Sequence, residues 1–67
     1  MDIGTNFKLI RQLNKKSQME IAKETGISQK AISFWERNER EPTITNCIKL
    51  ADYYNISLDE LVGRDFF

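Results

Sequence analysis

Residues 17–36 read SQMEIAKETGISQKAISFWE, and this stretch decides the fold. Ser17 and Glu20 are spaced as a capping box, in which the serine hydroxyl accepts from an amide of the first turn and the glutamate reaches back. Gly26 follows after about two helical turns, and its freedom to adopt positive φ lets the chain turn sharply. Ser28 then caps the next helix. The stretch predicts two short helices joined by a three-residue turn.

The second of these helices has one apolar face, which carries Ala31, Ile32 and Trp35. The polar residues near its start point elsewhere, and they are Gln29, Lys30 and Ser33. Because Trp35 shares a stripe with the two aliphatic residues, we expect it to pack in the core. A surface position, where the indole would be a stacking platform, is the alternative.

An N-terminal helix is predicted between Ile3 and Leu13, where apolar residues recur at positions i, i+4 and i+7. These residues are Ile3, Phe7 and Ile10. Asn38 follows the end of the third helix, at a position where asparagine is the best substitute for glycine in a left-handed cap. The loop then reaches Pro42.

Two further helices are predicted after this loop. Thr43 caps the fourth helix and Asn55 ends it. The apolar residues that keep the helical period between them are Ile44, Cys47, Ile48, Ala51 and Tyr54. Ser57 and Glu60 form a second capping box, which opens a short fifth helix ended by Gly63. No strand pattern is present in the sequence.

Chain length and composition limit the number of domains and exclude a membrane-spanning segment. A chain of 67 residues is close to the lower limit for a self-sufficient core, so we expect one domain over residues 1–67. Its core is expected at about residues 3–63, followed by a short apolar tail at residues 64–67. The longest apolar runs are two or three residues, far below the roughly 20 needed to cross a bilayer, and no leader is evident. The expected location is the cytoplasm, with no membrane partner.

The sequence excludes most enzymes. It has no histidine and one cysteine, Cys47, so no internal disulfide can form. A tetrahedral zinc site and a Ser-His or Cys-His catalytic pair are excluded for the same reason. Acidic pairs occur at Asp59 with Glu60 and at Glu39 with Glu41, where solvation or interaction with a helix dipole is the simpler account. We therefore predict no catalytic residues, no metal and no cofactor, and no small-molecule ligand is evident.

The net charge of zero conceals an uneven distribution. Residues 1–40 contain eight basic and five acidic residues, whereas residues 41–67 contain two basic and five acidic ones. Such a chain could present a basic face to DNA and turn an acidic face away. Two solvated surfaces that happen to differ in charge are the alternative.

Two helices joined by a short turn with glycine form a helix-turn-helix unit, whose second helix fits the roughly 12 Å wide major groove. Over about residues 3–63 the sequence resembles the Cro/Xre family of lambda-repressor-like domains. The motifs that carry the resemblance are Ser17-Gln18, Ile21-Ala22, Gly26-Ile27-Ser28, Ala31-Ile32-Ser33, Trp35-Glu36-Arg37, Arg40-Glu41-Pro42, Leu50-Ala51 and Ser57-Leu-Asp-Glu-Leu61. The resemblance implies an all-α fold, a compact five-helix domain with the helix-turn-helix formed by helices 2 and 3.

The resemblance also implies that the exposed start of the third helix contacts base edges. The residues at these positions are Gln29, Lys30, Ser33 and Phe34. Glutamine can pair with adenine N6 and N7, lysine with guanine O6 or N7, and phenylalanine can cover a thymine methyl. A merely solvated helix face is the alternative, and it explains an exposed phenylalanine poorly.

Phosphate contacts are implied at the N-terminus of helix two and in the loop after helix three. The main candidates are Gln18 and Arg40, and further candidates are Lys15, Lys16, Ser17, Arg37 and Asn38. Family members commonly pair an arginine and a glutamate at the positions of Arg11 and Glu36, which implies a structural ion pair here. Direct contact of Arg11 with phosphate is the alternative.

The leading interpretation is a sequence-specific transcriptional regulator, a repressor that binds a palindromic operator in double-stranded DNA as a homodimer. The alternative is a protein-interaction module, such as an antitoxin or anti-repressor, with the same fold. Leu9 and Leu13 lie outside the main apolar stripe of helix one and are candidates for the dimer interface. The other candidates are Tyr53, Tyr54, Leu58, Phe66 and Phe67. A tail folded back on helix one, or simple exposure of these residues, are the other accounts.

Overall fold

A computed structural model describes residues 2–64, and this part of the chain contains five α-helices and no strand. The helices are α1 (Ile3–Leu13), α2 (Gln18–Thr25), α3 (Gln29–Glu36), α4 (Ile44–Tyr54) and α5 (Leu58–Val62). The predicted all-α fold class, with α2 and α3 as the helix-turn-helix pair, is confirmed. No helix within residues 2–64 has the length and apolar character that a membrane span requires.

Every helix begins at a side chain that accepts a hydrogen bond from a first-turn amide. These capping residues are Asp2, Ser17, Ser28, Thr43 and Ser57. Both predicted capping boxes are confirmed: Ser17 Oγ accepts from the Glu20 amide at 3.0 Å, and Glu20 Oε1 accepts from the Ser17 amide at 2.9 Å. Ser57 and Glu60 make the equivalent bonds at 3.0 and 3.3 Å. Because the first amides of a helix have no carbonyl partner within it, these caps stabilise helices of only two turns.

The turn between α2 and α3 depends on a left-handed residue. Gly26 has φ 78°, and its amide donates to the Ala22 carbonyl at 2.9 Å. Ile27, the next residue, is buried and anchors the turn to the core. This geometry sets α3 against α2 and leaves the start of α3 projecting from the domain.

The core receives side chains from all five helices and from the α2–α3 turn. Its buried apolar residues are Phe7, Ile21, Ile27, Ile32, Trp35, Leu50, Ala51 and Leu61. The rings of Phe7 and Trp35 meet edge to face, with their centroids 6.2 Å apart, which is a favourable aromatic arrangement. Trp35 is 6% exposed, so its predicted core position is confirmed and the stacking-platform alternative is wrong.

The apolar stripe predicted for α1 is wrong at Ile3, which is 37% exposed. Gly4 and Asn6 are buried instead. A Cβ atom on Gly4 would lie 2.2 Å from the Trp35 carbonyl oxygen, so only glycine allows this approach of α1 to α3. The Asn6 amide donates to the carbonyls of Glu60 and Leu61, at 2.9 and 2.8 Å, and joins α1 to α5.

The stripe predicted for α4 is wrong at its N-terminal end. Ile44 is 76% exposed and Ile48 is 45% exposed. The face that α4 buries carries Leu50 and Ala51, with Cys47 at its edge. Successive helical residues are offset by about 100°, so Ile44 and Ile48 form a second apolar row beside the buried face. This second row remains exposed to solvent.

Candidate nucleic-acid interface

Helix α3 divides its surface between the core and the solvent. Ile32 and Trp35 are buried. The predicted base-contact residues lie on the other side, where Gln29 and Lys30 are exposed and Ser33 and Phe34 are partly buried. At about 100° per residue these four positions cover an arc of about 140°. The structure therefore brings all four together on one continuous surface.

A hydrogen-bonded ion pair fixes α3 relative to α1. Arg11 Nε donates to Glu36 Oε2 at 2.7 Å, and Arg11 Nη2 donates to Glu36 Oε1 at 3.0 Å. The Glu36 side chain is 4% exposed, so this fork-to-fork pair is shielded from solvent. Its hydrogen bonds to Glu36 raise the pKa of Arg11 above the usual arginine value. Arg11 Nη1 also donates to the Lys16 carbonyl at 2.8 Å, which ties the α1–α2 turn to the same pair.

Gln18, the main phosphate candidate on α2, joins this pair. Its Nε2 donates to Glu36 Oε1 at 3.0 Å, and its side chain is partly buried. One carboxylate thus orients side chains from α1 and α2 against α3. The sequence motifs contain both residues of this contact, but the contact itself joins positions 18 residues apart and was not predicted.

Three further phosphate candidates lie before α2. Lys15 is exposed and has φ 57°, and Ser17 caps α2. Lys16 Nζ lies 3.5 Å from Glu24 Oε1, and this carboxylate raises the pKa of Lys16. Lys16 is therefore paired with a carboxylate, whereas the exposed Lys15 makes no salt bridge within residues 2–64.

Asn38 has a structural contact that the sequence did not reveal. It adopts φ 59°, as the predicted left-handed cap requires. Its Oδ1 accepts from the Gly4 amide at 3.0 Å, and its Nδ2 donates to Asp2 Oδ1 at 2.8 Å. Hydrogen bonds from Thr5 and then from Asn38 lower the pKa of Asp2 to about 2. The Asn38 side chain thus holds the loop after α3 against the start of α1.

Three cations surround Phe34 on the outer side of α3. Lys30 Nζ lies 6.0 Å from the ring centroid, Arg37 Cζ lies 5.3 Å from it and Arg40 Cζ lies 4.7 Å from it. The negative face of an aromatic ring attracts such cations. We call these four residues the Phe34 cluster. The i, i+4 spacing of Lys30 and Phe34 could have indicated part of it, but the position of Arg40 depends on the path of the loop.

The two arginines of the Phe34 cluster differ in their other partners. Arg37 Nε donates to Glu39 Oε2 at 2.5 Å, and Arg37 Nη1 donates to Ser33 Oγ. The Arg40 guanidinium makes neither a hydrogen bond nor a salt bridge with residues 2–64. Arg40 therefore has its donors available for an anion, whereas some of the Arg37 donors are already used by the Glu39 carboxylate and the Ser33 hydroxyl.

The helix-turn-helix family model matches residues 7–61, which is most of the chain. The chain belongs to this family. The structure also resembles the P22 c2 repressor, which was solved in complex with synthetic operator 9T, with a TM-score of 0.86. The two chains are 34% identical, and the match covers 97% of this chain and 98% of the repressor chain. The predicted Cro/Xre-type, lambda-repressor-like character is confirmed.

Curated relatives of this helix-turn-helix chain include transcriptional regulators and an antitoxin. HTH-type transcriptional regulator ImmR of Bacillus subtilis is 35% identical over 65 residues, which cover 97% of this chain and 51% of ImmR. Cryptic phage CTXphi transcriptional repressor RstR of Vibrio cholerae is 43% identical over 54 residues, which cover 81% and 48%. Antitoxin HipB of Escherichia coli is 39% identical over 56 residues, which cover 84% and 64%.

This chain spans about half the length of ImmR and RstR. The match to these proteins concerns the helix-turn-helix region that they share with it. The family and these relatives confirm that residues 7–61 are a helix-turn-helix domain of the kind found in transcriptional regulators, as predicted, and not a catalytic domain.

Proposed function

We propose that this chain is the DNA-binding domain of a repressor that binds a palindromic operator as a homodimer. The observation that carries this proposal is the exposed arc of α3, which Arg11, Glu36 and Gln18 hold rigidly against α1 and α2. A preorganised polar helix face of this kind suits the major groove. The similar P22 c2 repressor was solved on an operator. A role on bacterial DNA requires a cytoplasmic location, in agreement with the sequence.

Each part of this surface has a separate role in the proposal. Gln29, Lys30, Ser33 and Phe34 contact base edges, because they cover the exposed arc of α3. Arg40 is the principal phosphate contact, since its guanidinium has no acceptor within residues 2–64. The remaining proposed phosphate contacts are Gln18, Ser17, Lys15, Lys16, Arg37 and Asn38.

Pairing of two copies gives the domain usable specificity. One recognition helix reads only a few base pairs, so a lone copy cannot select a single site in a genome. Leu9, Leu13 and Leu58 are exposed apolar residues available for such an interface. Tyr53 and Tyr54 are partly buried and contact one another, with ring centroids 5.1 Å apart. The predicted contribution of Phe66 and Phe67 lies outside the described residues.

Selection of bound sequences from a random duplex pool tests both the DNA role and the pairing. We expect two inverted half-sites whose centres are about 10 to 10.5 base pairs apart, so that both α3 helices meet the same face of the duplex. Analytical ultracentrifugation with the selected duplex should show two protein chains per duplex. A one-to-one complex on a palindromic duplex at micromolar protein would rule out the homodimer.

The similarity to antitoxin HipB favours one other function, that of a module that binds a partner protein. The dependence of binding affinity on salt concentration distinguishes the two functions. Binding to DNA releases counterions and weakens steeply as salt rises, whereas an apolar protein interface responds little. Failure to enrich any duplex in the selection, together with salt-insensitive binding to a protein, would favour the partner-binding module.

A further inference from the structure

Two cations of the candidate DNA surface are paired with carboxylates of the domain itself. Arg37 Nε lies 2.5 Å from Glu39 Oε2, and Arg37 Nη2 donates to Glu39 Oε1 at 3.5 Å. Lys16 Nζ lies 3.5 Å from Glu24 Oε1. These four side chains are between 34% and 54% exposed, so an approaching phosphate group can reach either pair.

We propose that Glu39 and Glu24 are internal competitors of DNA phosphate, which occupy Arg37 and Lys16 in the free domain and so lower its affinity for DNA of any sequence. The inference rests on the proposed DNA-binding function. It gives the two carboxylates a role in that function, because phosphate contacts supply most of the affinity for non-specific DNA. Glu39 and Glu24 would then limit the time that the domain spends on DNA outside its operator.

The pair of Arg37 with Glu39 also covers part of the recognition surface. Arg37 Nη1 donates to Ser33 Oγ, and Arg37 Cζ lies 5.3 Å from the centre of the Phe34 ring. Glu39 therefore holds the guanidinium across two of the proposed base-contact residues. A phosphate that draws Arg37 away from Glu39 also releases the Ser33 hydroxyl.

The competition follows from the exposure of the two pairs. An exposed ion pair is weak, so a phosphate group can replace the carboxylate. Opening the pair still subtracts from the energy of the phosphate contact, and the released carboxylate then lies near a phosphate of like charge. The affinity for DNA is therefore lower than the number of cations alone would give.

The two carboxylates should compete to different extents. Glu39 contacts two nitrogens of one guanidinium, whereas Glu24 has a single, longer contact with an ammonium group. The Tyr53 hydroxyl also donates to Glu24 Oε1, so this carboxylate keeps a hydrogen-bond donor after Lys16 has left. Glu39 is therefore the stronger competitor of the two.

The test measures DNA affinity and its salt dependence in variants that keep the shape of the carboxylate side chain. Fluorescence anisotropy measures Kd for the selected duplex and for a scrambled duplex. We expect Glu39→Gln to bind both duplexes about five- to tenfold more tightly at about 50 mM salt, with a salt slope steeper by about 0.9 unit, because one more counterion is released. This advantage should shrink about threefold at about 200 mM salt. Glu24→Gln should change both quantities in the same direction by smaller amounts.

Two control variants distinguish competition for a cation from the simple loss of a negative charge. Glu41→Gln removes a charge from the same loop, but Glu41 makes no salt bridge within residues 2–64, so its loss frees no cation and the slope should change much less. Glu39→Gln should give no gain in a protein that also carries Arg37→Ala, because the cation that it frees is absent. Circular dichroism shows whether each variant is folded.

Three results would overturn the inference alone. One is unchanged or weaker DNA binding by Glu39→Gln, which would make Glu39 a residue that positions Arg37 for DNA. Another is an equal gain from Glu41→Gln, and the third is a gain that persists without Arg37, since both would indicate general repulsion. No gain from Glu24→Gln would remove Glu24 from the proposal. Failure of the parent protein to bind any duplex at the lowest salt would overturn the proposed function itself.

Discussion

Gln29 and Lys30 lie exposed at the first positions of α3, and their side chains make no hydrogen bond with the rest of residues 2–64. Truncation of either side chain should therefore leave the fold intact. We expect Gln29→Ala and Lys30→Ala each to weaken binding to the selected duplex by about 1 to 3 kcal/mol, with little effect on a scrambled duplex. Anisotropy titrations on the two duplexes measure the difference. Equal losses on both duplexes would show that these residues do not read bases.

Arg40 should contribute equally to the affinity for every DNA sequence, because a phosphate contact does not depend on the bases. Because its guanidinium is free to meet a phosphate, Arg40→Ala should weaken binding to selected and scrambled duplexes similarly and reduce the salt slope by about one unit. Arg37→Ala is the matched control, since Glu39 already pairs with Arg37 and a smaller change in slope is expected. A slope that Arg40→Ala leaves unchanged would remove this residue from the phosphate contacts.

Asp2 makes stability depend on acid pH. The hydrogen bonds from Thr5 and Asn38 lower its pKa from 3.8 to about 2 in the folded protein, so the folded state favours the carboxylate. The stabilisation is complete above about pH 5 and is lost progressively as the pH falls through about 2. We expect Asp2→Asn to have a lower Tm than the parent protein at pH 6, and we expect this difference to become small as the pH approaches about 2. A difference in Tm that is constant from pH 6 to pH 2 would contradict this account.

Among the helices, the docking of α3 depends on the shielded carboxylate of Glu36. Glu36→Gln preserves the shape of the side chain but leaves Arg11 as a poorly compensated charge, which should cost about 3 kcal/mol. Glu39→Gln is the matched control, because its pair with Arg37 is about half exposed and contributes less than about 1 kcal/mol. Urea unfolding measures both. Equal losses of stability would show that the Arg11 pair has no special role.

The start and end of each helix could be predicted because they depend on neighbouring residues. Ser17 with Glu20, and Gly26 with its positive φ, determine a boundary within one turn of chain. The buried face of a helix is less certain, because it depends on which element packs against it. Ile44 and Ile48 fit the helical period as well as Ala51 does. They remain exposed because α5 and α2 pack against the face of α4 that carries Leu50 and Ala51.

In the candidate site, too, features that depend on a single helix could be predicted, whereas contacts between separate elements could not. The exposed residues of α3 followed from the period of one helix, which also put Trp35 in the core. The contact of Gln18 with Glu36, and that of Arg40 with Phe34, depend on how separate elements meet. Asn6 could not be identified as buried, since its two carbonyl partners lie more than 50 residues further along the chain.

Across the whole molecule, a small core leaves little reserve of stability. A chain of 67 residues has a marginal balance between burial and chain entropy. Trp35→Ala should cost about 3 to 5 kcal/mol, enough to unfold most of the protein at room temperature. The control is Phe34→Ala, which truncates the adjacent, partly buried aromatic residue. This variant should keep the helix content of the parent protein. Thermal melts followed by circular dichroism compare the two, and a normal Tm for Trp35→Ala would contradict its place in the core.

The hydrogen bonds from Asn6 to α5 affect the order of events during synthesis. Helix α1 leaves the ribosome before α5, but the carbonyls that accept from the Asn6 amide belong to Glu60 and Leu61. Leu61, which is fully buried, fills the core only at that same late stage. A nascent chain that ends before α5 therefore carries a recognition helix without a closed core behind it. Competence to bind DNA should appear abruptly, when α5 emerges, and not gradually as the chain lengthens.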